Sequence, residues 1–542
     1  MSDTLVGLLA ASLKTNRARP AFTDDGGETM TYAEVAGHIA RLHALFEACH
    51  VGRGDKVALF GRNSSSWATV YLATITYGAV IVPILPDFKR DDVHHIVHHS
   101  DAVILFVQDS LAASLEPERM SGLSAAFVLP DLRVLFADRD RTARAAETAL
   151  AAPAGEPHVE EAPGTATAAV VYTSGTTGFS KGVVLPHESL LVNVRFAQRH
   201  MPLVPGDTIV SFLPLAHAFG CAFEFLFPVA SGCHITFVNQ LPAPQVLLRV
   251  FGRVRPRLIL SVPLVLEKIY RKQIRPVLEK PTTRILMRFP ALRRRIGAKV
   301  KGKLTAAFGG NFREIVIGGA ALSPEVESFL REIGFPVTVG YGMTECGPLI
   351  SYAAWTEHRR GSVGRIIDAL ESRIDSPDPR RTPGELLVRG RSVMAGYYKN
   401  PEATREAIDG NGWLHTGDLG VFDESGFLTL KGRTKTVLLG PSGQNIYPEE
   451  IEAKLNALPF VGESLVLEKG GRLVALVYPD LERVDAERIG EADLVRRMEE
   501  NRRLLSAILP SYAAVSRIDL WPEEFEKTPT RKIKRFLYSL PA

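Results

Sequence analysis

The sequence predicts an α/β fold, on two observations. Gly54-Asp55 turns into the apolar run Lys56–Phe60, a helical stretch covers residues 67–78, and residues 79–84 form a second apolar run. Strand, helix and strand at that spacing need a crossover, which sets the two strands parallel in one sheet with helices on its faces. Further on, the small and β-branched residues 167–171 read as another strand, and this one enters a loop rich in glycine and hydroxyls.

At 542 residues the chain exceeds one small core, so about two to four domains or subdomains are expected. Apolar residues at 46%, charged residues at 23% and a mean hydropathy of +0.04 describe an ordinary soluble globular protein. A net charge of +4 spread over this length, with no recognition module, argues against nucleic acid as a partner. Cys49, Cys221, Cys233 and Cys346 lack CxxC or zinc spacing and read as reduced thiols. With no secretion signal in residues 1–19 and no long apolar span, a cytoplasmic location is expected. Peripheral contact with the inner face of a membrane stays open.

In chain order, two helical patterns occupy residues 5–48, the second starting at Thr31 as N-cap with Glu34 as its capping-box partner. His94, His95, His98 and His99 form i,i+4 pairs that suit a transition metal, but no Cys or Glu completes a site, and a solvated helix face is the plainer reading. Residues 110–165 read as peripheral loop and edge structure. A strand over residues 207–212 leads to Leu213-Pro214-Leu215-Ala216-His217-Ala218-Phe219-Gly220, and residues 221–232, apolar apart from Glu224, fit either a lipophilic channel wall or buried core. Residues 268–303 are densely basic with interleaved apolar side chains, which fits a solvated helical face or contact with an anionic membrane.

The loop Tyr172-Thr173-Ser174-Gly175-Thr176-Thr177-Gly178-Phe179-Ser180-Lys181-Gly182 offers hydroxyls, one ammonium and close backbone approach to phosphate oxygens. It is not a Walker A loop, because Gly182 stands where Ser or Thr would hold magnesium. This order resembles the phosphate-binding loop of the adenylate-forming superfamily, with Ser180 in place of the usual proline. Glu314 to Leu322, then Tyr341-Gly342-Met343-Thr344-Glu345, Thr416-Gly417-Asp418, Gly432-Arg433-Thr434-Lys435 and the basic stretch Arg531-Lys532-Ile533-Lys534 follow in that superfamily's order.

The resemblance implies a role for each position. Thr173, Ser174, Gly175, Thr176, Thr177, Gly178 and Lys181 would hold phosphate, Gly319, Ala320 and Tyr341 the adenine, Gly342 the nucleotide, Asp418 the ribose, and Arg433 the ribose or a phosphate. Thr344 would contact the α-phosphate, Glu345 would coordinate Mg2+, and Lys532, with Lys534 as competitor, would be the adenylation lysine. His217, Phe219 and Gly318 would border the acyl pocket, Lys435 would be the hinge, and Gly443 and Gln444 would lie on the path of coenzyme A.

It also implies a large N-terminal domain of α/β subdomains with a β-rich part over residues 1–432, a hinge at 433–435, and a small mobile α+β domain over 436–542. The expected activity is ATP-dependent activation of a fatty acid of medium to long chain as acyl-AMP, then transfer to coenzyme A. Val262-Pro263 with the basic insertion after it looks most like the long-chain branch. An acyl carrier protein as acceptor, an aryl or branched acid as substrate, and a non-enzymatic nucleotide- or lipid-binding protein are the alternatives.

Overall fold

The computed structural model describes residues 3–538 apart from 121, 139, 152–154, 174–179, 202, 241, 440–443, 471, 511–512 and 529–531. The strand–helix–strand unit forms within two residues of its expected bounds. Lys56–Phe60 and Val80–Ile84 pair in parallel, joined by helix Ser65–Tyr77. Ser64 caps that helix by accepting the Trp67 N–H, and Gly78 ends it in the left-handed region, φ 87°.

These two strands sit at the centre of an eight-stranded sheet. Ala102–Gln108 and then Ala125–Leu129 extend it in parallel on one side, Thr167–Thr173 on the other. Both margins turn antiparallel: Val134–Ala137 closes one, Lys181–Pro186 and Gly396–Tyr397 the other. Residues 110–165 thus do reach the sheet edge, but they are not mainly loop. Ala125–Leu129 is a wholly buried strand, and Asp140–Ala151 is a helix. Their alanine-rich composition carries little strand signal, and tertiary pairing decides the outcome.

A second sheet runs Thr208–Ser211, His234–Phe237, Pro20–Asp24 and Thr29–Thr31, and a third is the parallel set Ile259–Ser261, Ile315–Ile317 and Val337–Val339. The β-rich part is an antiparallel sheet of Leu370–Asp375, Gly384–Gly390, Leu414–Phe422 and Leu428–Arg433. One hydrophobic cluster, from Leu5 to Leu428, unites all of this. Residues 221–232, left between channel wall and core, are mostly core: Cys221–Leu226 is a fully buried π-helix, and the Glu224 carboxylate accepts the N–H groups of Phe212 and Leu213 at 2.9 Å each.

A separate cluster, from Ile446 to Val515, packs helices Pro448–Leu455 and Glu491–Ile508 on the sheet Val461–Lys469, Arg472–Pro479, Val515–Leu520. This is a small α+β unit with its own core.

Helix Tyr32–Ala48 carries the expected capping box. Thr31 Oγ1 accepts the Glu34 N–H at 3.3 Å, and Glu34 accepts the Thr31 N–H at 2.7 Å. Thr31→Ala removes half of this reciprocal pair and is expected to lower the stability of the unit containing the helix by about 1 kcal/mol, read as a lower urea midpoint. An unchanged midpoint would mean that water replaces the cap at no cost.

Candidate active site

A cleft of about 3870 Å3 is lined by residues from the sheets that follow the loop and from the C-terminal unit. Its floor is set by backbone. The strand Val337–Val339 runs through Gly340 into Tyr341-Gly342, where a Cβ on Gly342 would stand 2.1 Å from the Pro348 carbonyl oxygen, so no larger residue fits. A tight turn over Thr344–Cys346, ended by Gly347 at φ 63°, then presents Thr344 and Glu345.

Tyr341 donates its hydroxyl to Asp418 Oδ2 at 2.6 Å, and Arg433 donates Nε to Oδ1 at 3.0 Å. Asp418 and Arg433 face each other across the register of Leu414–Phe422 and Leu428–Arg433, so sheet pairing alone aligns them. Burial, then the Asp418 charge, pushes the Tyr341 phenol well above its ordinary pKa.

Glu345 is half-buried, and Tyr397 donates its hydroxyl to Oε1 at 2.9 Å. The Lys181 ammonium sits 4.9 Å above the Tyr397 ring. Lys181 begins the strand after the loop and pairs with Thr173, the last residue of the strand before it. The two strands flanking the loop therefore pair antiparallel, and their ends at Thr173 and Lys181 line the cleft. Ser174, Gly175, Thr176, Thr177 and Gly178 lie outside the described residues, as does Gly443.

The lining of the cleft also includes the apolar Met201, Phe212, Phe223, Val238 and Val262, together with Phe219 and His217. A Cβ on Gly318 would meet the Phe219 ring at 2.8 Å, which explains glycine there; Gly319 has φ 84°, and Gly319 and Ala320 line the cleft. His217 Nδ1 accepts the Phe219 N–H at 3.3 Å. Burial, and secondly the Lys532 charge, bring its pKa down to about 4, so the ring is neutral at ordinary pH.

Lys532 reaches the same cleft from the C-terminal unit. Its N–H donates to Thr528 Oγ1 at 3.2 Å and its carbonyl accepts the Thr528 N–H at 2.8 Å, a local ladder that fixes the backbone. The side chain is accessible from the cleft yet ringed by protein. That desolvation, followed by the Arg433 charge, lowers its pKa, while Asp418 and Glu345 oppose the shift. Lys534 instead pairs with Glu526 at 2.6 Å. Of the two competing lysines, the structure brings Lys532 to the acids.

The remaining predicted positions fall less centrally. Lys435 is exposed within the turn Thr434–Thr436, whose neighbours tie the units together: Thr436 Oγ1 donates to Glu449 at 2.7 Å, and Lys431 pairs with Glu450 at 3.2 Å. Gln444 is exposed and outside the lining of the cleft. The histidine helix, Arg90–His99, is structural: His94 accepts the Glu116 N–H, His99 Nδ1 meets the Tyr172 hydroxyl at 2.7 Å, and no cluster of three metal-ligating side chains occurs among the described residues. Sequence reasoning missed Tyr397, whose aromatic pair at a strand end reads as core. It also missed that Arg271 and Lys272 contact the C-terminal unit, at the Asn456 carbonyl and Glu482.

A histidine whose native pKa lies near 4, below its ordinary 6.5, takes up its proton first in the unfolded chain. Stability present above pH 6.5 is therefore lost as pH falls toward 4. His217→Asn is expected to make that loss shallower, measured as urea midpoint against pH; an unchanged slope would mean that His217 does not contribute.

Residues 9–398 match the family described as AMP-binding enzyme. The long-chain-fatty-acid–CoA ligase FadD15 of Mycobacterium bovis is 29% identical, covering 93% of this chain and 90% of its own length. The sulfoacetate–CoA ligase of Cupriavidus necator is 30% identical over 85% of this chain and 84% of its own. ATP-bound MatB from Rhodopseudomonas palustris has the same fold, with a TM-score of 0.79 at 23% identity over 99% of this chain and 98% of that one. Loop ends, aromatic–acid pair, turn-borne carboxylate and a lysine from the C-terminal unit thus meet in one cleft of a chain that belongs to the AMP-binding enzyme family.

Proposed function

We propose that the protein is an ATP-dependent acid–thiol ligase that activates a fatty acid of medium to long chain as acyl-AMP and passes the acyl group to coenzyme A. The observation that carries this reading is the approach of Lys532 to Glu345, Asp418 and Arg433 in a cleft whose lining also carries apolar side chains. Relatives named as long-chain-fatty-acid–CoA ligases support the acid and the acceptor; the sulfoacetate–CoA ligase keeps the acid open to test.

In the first half-reaction a carboxylate attacks the α-phosphorus of ATP, forming the acyl–phosphate bond and releasing pyrophosphate. Two anions must approach, so cationic groups have to gather around the phosphate oxygens, where negative charge builds. Lys532 supplies it from the C-terminal unit, Lys181 and the loop with Thr173 hold the phosphates, and Thr344 donates to the α-phosphate. Tyr341, with Gly319 and Ala320, packs the adenine, while Asp418 accepts from the ribose and Arg433 holds that carboxylate in place through its Nε. His217, neutral in its buried setting, borders the carboxylate without adding a charge that the nucleophile would lose to it. Glu345, held by Tyr397, suits Mg2+, which takes one or two carboxylates and fills its other positions with phosphate and water. When bound, the ion neutralises triphosphate charge. In the second half-reaction the C-terminal unit turns about Lys435, withdrawing Lys532 and admitting the thiol, which attacks the acyl carbonyl and expels AMP.

Lys532→Ala is expected to slow adenylate formation by about 10²–10³-fold while thioester formation from supplied acyl-adenylate continues. Equal losses in both steps would remove the assignment. The substrate is tested by pyrophosphate release with ATP, magnesium and acids from acetate to oleate, plus benzoate and sulfoacetate, each with and without coenzyme A. Turnover that depends on coenzyme A and peaks at long chains is the expected result. A peak at sulfoacetate or benzoate replaces the acid, release without thioester points to a carrier-protein acceptor, and no release with any acid overturns the enzymatic reading.

A further inference from the structure

The basic run of residues 268–303 divides into two parts with different surroundings. Its first part is used within the molecule: Arg271 donates to the Asn456 carbonyl at 3.2 Å, Lys272 pairs with Glu482 at 2.8 Å and Arg275 with Glu279 at 2.8 Å. Its second part faces out. Between residues 280 and 303 the sequence has nine Lys and Arg and no Asp or Glu. Among the described residues only one of the nine, Arg293, is ion-paired, to Glu332.

The apolar side chains of this part are also turned outward. Ile285, Leu286 and Phe289 are 57%, 41% and 57% exposed, and helix Pro290–Ala307 buries only Gly297 and Leu304. Of the thirteen exposed large apolar side chains among the described residues, five fall within residues 264–289. A solvated helix face explains the cations but leaves no reason for this cluster. Leu264 belongs both to the exposed set and to the lining of the cleft, so the face continues to the cleft's rim.

We propose that this face docks the protein on an anionic bilayer surface, with Ile285, Leu286 and Phe289 entering the headgroup boundary and the arginines and lysines around them meeting lipid phosphates. Charge complementarity selects the occupant. A nucleic acid would satisfy the cations, but its phosphate contacts give no use for two exposed aliphatic side chains. A second copy would set the same run of nine cations, eight of them without an ion-pair partner among the described residues, against itself across an isologous contact. The inference concerns where the chain sits and holds whichever acid it activates.

The test is sedimentation of the full chain with sucrose-loaded vesicles, of phosphatidylcholine alone or with about a third phosphatidylglycerol. Binding about tenfold stronger to the anionic vesicles is expected, weakening with added salt. The double variants Ile285→Ser/Phe289→Ser and Arg294→Glu/Arg295→Glu are each expected to lose about tenfold in vesicle binding while keeping the wild-type thermal midpoint, since all four positions are exposed. If the apolar variant proves unstable, the charge variant decides alone. Equal binding to both vesicle types, or wild-type binding by the variants, overturns the proposal. So does retention on RNA that ignores the apolar pair, or a dimer that the apolar pair abolishes.

Discussion

The shared carboxylate of Asp418 is the constraint on which the cleft depends. One oxygen accepts the Tyr341 hydroxyl from the strand end after Val337–Val339, the other the Arg433 guanidinium at the start of the turn toward the C-terminal unit. A buried carboxylate without both partners would be left with uncompensated polar atoms. With them it joins the strand end at Tyr341 to the antiparallel sheet that holds Asp418 and Arg433, at the very point where the chain leaves for the second core. The positions of the tyrosine, the turn and the arriving lysine follow from that one joint.

Much of this was legible in the sequence, for identifiable reasons. Apolar runs broken by Gly54-Asp55 and Gly78 mark the parallel unit because turn chemistry and period are local. The order of Tyr341, Glu345, Asp418 and Lys532 along the chain carries the family, and the structure gathers these four into one cleft. What was not legible depends on contacts between distant segments. The Tyr341 hydroxyl meets Asp418 across 77 residues, and Tyr397 reaches Glu345 across 52. No local pattern records either. The buried strand Ala125–Leu129 stayed hidden because alanine fits helix, strand or loop, and only its neighbours choose.

The basic stretch after Val262 illustrates a different limit. Composition reads it as one feature, yet Arg271 and Lys272 serve a contact inside the chain while the residues beyond Lys280 face solvent. Charge runs are read by sign and density. Their partners are set by where helices end, which periodicity places only to within a few residues.

The two hydrophobic clusters have no residue in common, and the ion pairs named between the units are wholly or partly exposed: Lys272–Glu482 at 59% and 76% side-chain exposure, Lys431–Glu450 at 32% and 40%. Exposed pairs of this kind hold about 0–1 kcal/mol each. The arrangement that seats Lys532 is consequently a shallow well. On the two-step reading proposed above, a deeper one, lined with apolar contacts, would favour the first chemical step and trap its product, whereas shallowness would let occupancy of the cleft, rather than the fold, decide when the small unit lets go.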